Sequence, residues 1–163
     1  MTKCFEKRFD ELSAAELYEI LKLRSEVFVV EQNCVYQDLD DKDKGAIHVW
    51  LEKDGVVVAC ARVLDVGVSY EGSLSIGRVV SKYRAKNLGL TVMNAAISAA
   101  KRAYGNLPIT ISAQQYAVGF YQKFGFKVIS TPYLEDNIPH VKMLLPPTEF
   151  SMSPTGFSMS PTA

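Results

Sequence analysis

Lys82, Arg84 and Lys86 place three cations within five residues, between a strand-like run, SLSIGRVV, and a long apolar stretch that opens at Leu88. A turn leading from a strand into a helix aims free backbone N–H groups and the positive end of the helix at whatever binds there, so phosphate is its natural guest. A solvated basic turn is the plainer reading of the same residues. Tyr121 offers a second kind of chemistry, because a phenol with an ordinary pKa near ~10 can donate a proton to a departing anion at neutral pH. Beside Phe120 and close to Phe124, it can equally be core. Glu31 is the first candidate for a general base: it closes the apolar run VFVV, where a carboxylate can face a pocket or simply form a salt bridge. The acidic loop Asp38–Asp43 and the pair Glu135-Asp136 can draw in a cationic amine or can be solvated. His48 and His140 are the only histidines, and Asp41, Asp43 and Gly45 lack the third oxygen ligand and the glycine spacing of a calcium loop. No metal is expected.

These residues must be held by elements that the periodicity of the chain predicts. Lys3–Phe9 reads as a strand. Ser13 with Glu16 forms a capping box, and Leu17, Ile20, Leu21, Val27 and Phe28, with the Arg24 stem, predict a helix to about Val29 with one face in the core. An irregular acidic stretch from Glu31 to Gly45 precedes a hairpin, HVWLEK and VVVACARVL joined at Asp54-Gly55, a pair suited to the two positive-φ positions of a type I′ turn. SLSIGRVV is a further strand, Leu88–Tyr104 a long helix, ITISA a buried strand, and QQYAVGFYQKF a helix ended by Gly125. Strands over 127–133 and 140–145 complete the order β-α-β-β-β-α-β-α-β-β, an α/β chain around a mixed sheet.

With those elements in place, the chain resembles the GNAT superfamily of N-acetyltransferases, which binds acetyl-coenzyme A through a Q/R-x-x-G-x-G/A turn after its fourth strand. Here that turn reads Arg84-Ala85-Lys86-Asn87-Leu88-Gly89. Asn87 stands at the first glycine position, and asparagine tolerates the left-handed conformation better than most residues. The second family element is matched by the run from Gln114 to Phe126, which contains Tyr121. LRSEVFVVEQNCVYQDLDDKD, IGRVV, AQQYAVGFYQKFGF and EDNIPHVKM narrow the resemblance to the ElaA-like branch, over about residues 1–145. It implies a mostly antiparallel central sheet flanked by helices, with the fourth and fifth strands, Ser75–Val80 and Ile109–Ala113, splayed to admit the pantetheine arm. It further implies pyrophosphate at Arg84, Lys86, Asn87, Leu88, Gly89 and Leu90, and cofactor contacts at Val79, Val80 and Gln114. A backbone N–H near Val79 or Val80 would meet the oxyanion, and Tyr121 would protonate the thiolate. The acceptor would be a primary amine of a small molecule or peptide.

Two other readings remain open: a coenzyme A-binding sensor without catalysis, and covalent acyl transfer through Cys34 with His140 as base. Composition narrows the partners. The 163 residues carry 18 Lys+Arg against 18 Asp+Glu, too balanced for a nucleic-acid partner, and 48% hydrophobic residues suit one globular domain. No apolar run approaches the ~20 residues of a membrane span, and the charged start lacks a signal-peptide core, so a cytoplasmic protein is expected. Cys4, Cys34 and Cys60 form no C-x-x-C pair and read as reduced thiols. Residues 146–163 form a Ser/Pro/Thr-rich tail with FSMSPT at 150–155 and again at 157–162, read as coreless or as a partner-binding or Ser153/Ser160 phosphorylation segment. A homodimer is compatible with the apolar edges.

Overall fold

The computed structural model describes residues 1–84 and 87–148. Lys86 and the repeated tail at 149–163 lie outside the described residues. Strands β1 (Thr2–Arg8), β2 (Ile47–Lys53), β3 (Val56–Leu64), β4 (Leu74–Ser81), β5 (Ile109–Gln114), β6 (Lys127–Val128), β7 (Tyr133–Glu135) and β8 (Ile138–Leu145) form one sheet in the order β1-β2-β3-β4-β5-β8-β6, with β7 also on β8. Every pairing is antiparallel except β4 with β5. Helix α1 (Ala14–Arg24) covers one face, α2 (Leu88–Tyr104) the other, and a short α3 (Val118–Gln122) follows β5.

Local signals act as their chemistry requires. Ser13 Oγ accepts from Glu16 N at 3.0 Å while Glu16 Oε1 accepts from Ser13 N at 2.9 Å, closing the capping box. Asp54 and Gly55 both have positive φ, as the type I′ turn demands. Along α2, Leu88, Val92, Met93, Ala96, Ala99 and Ala100 are buried, and the alanines let the helix lie close on the sheet. That layer joins Ile47, Val49, Leu51, Leu74, Ile76, Ile109, Ile111 and Met143 into the main core. A second core between the sheet and α1 holds Ile20, Leu23, Trp50, Val57, Cys60 and Val80.

Three expectations need correction. The first helix does not run uniformly to Val29: after Arg24 it widens into a π-helical segment, Ser25–Glu31, in which Gln32 N bonds to Val27 O and Cys34 N to Val29 O. The helix expected from Gln114 starts later, since Gln114 still pairs with His140 and a 3-10 turn over Gln115–Ala117 intervenes. The strand expected over 127–133 is broken between β6 and β7, where Pro132 has no N–H to give a ladder. β7 and β8 are instead a hairpin closed by Asp136-Asn137, both at positive φ.

Candidate active site

β4 and β5 run side by side for only two registered pairs, Leu74 with Ile109 and Ser75 with Thr110. Beyond them the strands part. A β-bulge sets the geometry of the β4 side: Arg62 pairs with Gly77 and Cys60 with Val80, so Arg78 and Val79 together oppose Ala61. Arg78 takes φ +51, a left-handed conformation uncommon for a non-glycine residue. The extra residue inverts the side-chain phase. Leu74 and Ile76 enter the α2 core before the bulge, whereas after it Val79 packs on that core and Val80 enters the α1 core.

The phase also decides which amides are open. Lys82 N donates to Val58 O at 2.7 Å, and N–H directions alternate along a strand, so Val80 N–H points toward β3. The N–H groups of Val79 and Ser81 therefore turn into the gap. A cavity of about 480 Å³ fills it, walled by β4 residues 76–81, by Ile111, Ser112 and Gln114 of β5, and by Val27 and Phe28 of the π-helical segment. Gln32 and Gln114 exchange amide hydrogen bonds of 3.3 and 3.5 Å across this space.

At one mouth lies the start of α2. Asn87 adopts φ +56 and ψ +21, the left-handed conformation, and its side chain does not cap the helix. The first intrahelical bond is Thr91 N to Asn87 O at 3.1 Å, which leaves the N–H groups of Leu88, Gly89 and Leu90 without intrahelical partners. Asn87, Gly89, Leu90 and Arg84 line the cavity, while Leu88 is buried in the main core. Open amides along β4 and a helix N-terminus that the Asn87 side chain leaves uncapped suit a long phosphate-bearing ligand. Glu31 is absent from the cavity wall; half-exposed, its carboxylate stands 3.8 Å from Arg84 Nη2.

Tyr121 is in the wall, edge-on to Phe120 and Phe126. Burial, and then the neighbouring Tyr116, push its phenol up to about 12, so it keeps its proton at neutral pH. Cys34 and His140 share the cavity, but Cys34 Sγ faces Asp136 O at 3.5 Å and His140 Nδ1 faces Ile138 O at 2.6 Å. Among the described residues, no hydrogen bond joins the two.

Asp38, Asp40 and Asp43 of the acidic loop are bound by arginines, and Asp41 alone stands in solvent. Arg24, expected to bury only its stem, is 1% exposed, and its guanidinium bonds Asp38 Oδ2 at 2.9 Å and Asp43 Oδ1 at 2.7 Å. Arg62 reaches Asp40 Oδ2 at 2.6 Å and Asp43 Oδ1 at 3.1 Å, and Arg78 Nε lies 2.6 Å from Asp38 Oδ1. Burial opposes charge on Asp40, yet the hydrogen bond and charge of Arg62 outweigh it and hold the carboxyl below the usual range. The signal was present: arginines inside apolar helix and strand segments need buried acids.

The structure brings Gln114, His140 and Glu135, separate candidates in the sequence, together with Ser112 and Tyr133, which the sequence does not single out. Alternation puts Ser112 and Gln114 of β5 and His140 of β8 on the sheet face away from α2, and β7 adds Tyr133 and Glu135. Among the described residues no group of three or more His, Cys, Asp or Glu is gathered to hold a metal, and no helix is long and apolar enough to cross a membrane.

A mostly antiparallel sheet parted between β4 and β5, with an uncapped helix start at the mouth of the gap, defines an acyltransferase fold of the GNAT type. The chain belongs to the acetyltransferase (GNAT) family, whose domain matches residues 10–146. Within it, the chain is 42% identical over 137 residues to the UPF0039 protein Rv2851c of Mycobacterium tuberculosis, covering 82% of this chain and 86% of that one. Among solved structures, an acyl-CoA N-acyltransferase from Pseudomonas aeruginosa superposes with TM-score 0.82 at 40% identity, over 88% of this chain and 99% of that one. Escherichia coli ElaA gives TM-score 0.82 at 34% identity over the same shares.

Proposed function

We propose that this protein is an acetyl-CoA-dependent N-acetyltransferase that moves the acetyl group directly to a primary amine of a small molecule or peptide. The observation that carries this reading is the parting of β4 from β5, with Val79 and Ser81 amides facing the gap and Tyr121 in its wall. The α2 N-terminus, with Arg84 beside it, holds the pyrophosphate, and the β4 amides pair with the pantetheine. Val79 N–H is the oxyanion donor and Tyr121 the general acid, whose high pKa keeps a proton ready for the thiolate. Three free cysteines accord with a cytoplasmic setting, where acetyl-CoA is available.

The test is thermal stabilisation by acetyl-CoA and coenzyme A against a ribonucleotide control, repeated on Arg84→Ala, followed by thiol release with an amino sugar, a polyamine, an amino acid and a peptide with a free terminus. Stabilisation by both coenzymes with thiol release supports the enzyme. Stabilisation without release from any amine supports a coenzyme A-binding sensor, and no coenzyme-specific shift overturns both.

A further inference from the structure

A direct transfer needs a group to take the proton of the acceptor ammonium, whose pKa is near ~10.4 for an alkyl amine. Glu31 does not reach the cavity. His140 does, and its surroundings are built for proton uptake at one nitrogen. The register of β8 places it between Gln114 of β5 and Tyr133 of β7, with Tyr133 stacked on its ring at 6.2 Å. Its Nδ1 lies 2.6 Å from Ile138 O. A carbonyl oxygen only accepts, so Nδ1 carries a proton and the neutral ring keeps its lone pair on Nε2.

Glu135 Oε2 stands 3.6 Å from that Nε2, where a carboxylate stabilises an imidazolium. Its other oxygen accepts from Ser112 Oγ at 3.2 Å, and Ser112 Oγ is 2.5 Å from Tyr133 Oη. Glu135 is thus held by a neighbouring strand, while His140, Glu135 and Ser112 all line the cavity that contains Tyr121. The ionisable groups on this face are Glu135 and Tyr133 from the hairpin, Lys142 two residues along β8 opposite Ser112, and Tyr70, whose ring lies 5.6 Å beneath the Lys142 ammonium; Gln114 from β5 is uncharged, and Asp136 and Cys34 complete this end of the wall.

We infer that His140 is the general base, taking the ammonium proton at Nε2, with Glu135 stabilising the imidazolium and Ser112 and Tyr133 positioning Glu135. This rests on the N-acetyltransferase reading. The first ammonium proton passes to Nε2 and then to water, and the neutral nitrogen bonds to the thioester carbonyl carbon. As the C–S bond breaks, Tyr121 protonates the sulfur, and the second nitrogen proton restores the phenol. The carboxylates of Glu135 and Asp136 favour a cationic amine at this end of the cavity.

The experiment combines histidine ring 15N NMR on the free protein with kinetics of His140→Gln and Glu135→Gln. Only two histidines need assignment, and His140→Gln assigns them. The expected result is a neutral His140 with its proton on Nδ1. With the fastest amine of the panel, His140→Gln should lower kcat/KM about 100-fold and lose the acid limb of its pH profile, with acetyl-CoA affinity unchanged. Glu135→Gln should lower kcat/KM about 10-fold, because the imidazolium loses its carboxylate, and move that limb to lower pH.

A neutral His140 protonated on Nε2, or a His140→Gln enzyme within about threefold of wild type with an unaltered pH profile, would overturn the inference. Should His140→Gln not fold, the NMR tautomer and an unmoved limb in Glu135→Gln decide it in the same way. A wild-type protein inactive with every amine would remove the N-acetyltransferase reading itself, and the base assignment with it.

Discussion

Arg24 grips Asp43 with both arms of its guanidinium, Nη1 to Oδ1 at 2.7 Å and Nη2 to Oδ2 at 3.1 Å. Asp43 also accepts from Arg62 at 3.1 Å, so one carboxylate ties α1 to β3. Removing one partner of such a buried set leaves uncompensated charge. Asp43→Asn should destabilise the protein by about 3–5 kcal/mol in urea unfolding, a large share of a typical domain's stability.

Acid should unfold the protein through the same network. Burial disfavours the charged forms of Asp40 and Asp43, but arginine hydrogen bonds and charge depress both below the ordinary carboxylate range near ~3.9. Their contribution is complete above that range and disappears as pH falls through the depressed folded values. His48, whose pKa is lowered by burial, loses stability earlier, as pH falls below ~6.5 where the unfolded chain takes up its proton first. Urea midpoints across pH should show the shallow loss before the steep one, and Asp43→Asn should blunt the steep one.

Tyr121→Phe should reduce thiol release about 100-fold or more while acetyl-CoA stabilisation is retained, since only the proton donor is removed. Because the phenol stands at about 12, its own ionisation should place no basic limb on the rate profile within the neutral range.

Glu31→Gln separates two roles for that carboxylate. Paired with exposed Arg84 at 3.8 Å and outside the cavity wall, Glu31 would compete with a phosphate for the guanidinium. The variant should keep full kcat and bind coenzyme A up to about threefold more tightly, an effect that salt diminishes. Lost turnover would instead make Glu31 the base.

Cys34→Ala should leave turnover within about threefold of wild type and yield no acyl-protein adduct by mass spectrometry in either form. An adduct on wild-type Cys34 that disappears in the variant would support covalent transfer.

What could be read in the sequence was what is local. The Ser13–Glu16 box, the Asp54-Gly55 turn and the left-handed asparagine before α2 each depend on a few adjacent residues. The Asp136-Asn137 turn is equally local, since that pair suits two positive-φ positions. Arg24 and Arg62 inside apolar segments call for buried acids, but those acids lie in a separate loop, so the spacing does not say which ones. Nor does IGRVV announce a bulge at Arg78, whose guanidinium is held by Asp38 and Asp40 across the fold. The π-helical widening after Arg24 left the apolar spacing close enough to helical to go unnoticed.

With only two registered pairs across its middle, the sheet is mechanically two plates riveted at one corner, β1–β4 and β5–β8. The rivet is Ser73, whose Oγ lies 3.0 Å from the carbonyls of Leu74 and Pro108 and 2.8 Å from Thr110 Oγ1. A ligand seated in the gap would act as a splint between the plates, adding to the core that α2 already lays across both. Amide exchange on β5 and β8 would then slow together with that on β4, and a change at Ser73, outside the cavity wall, would loosen the grip on the ligand without touching it.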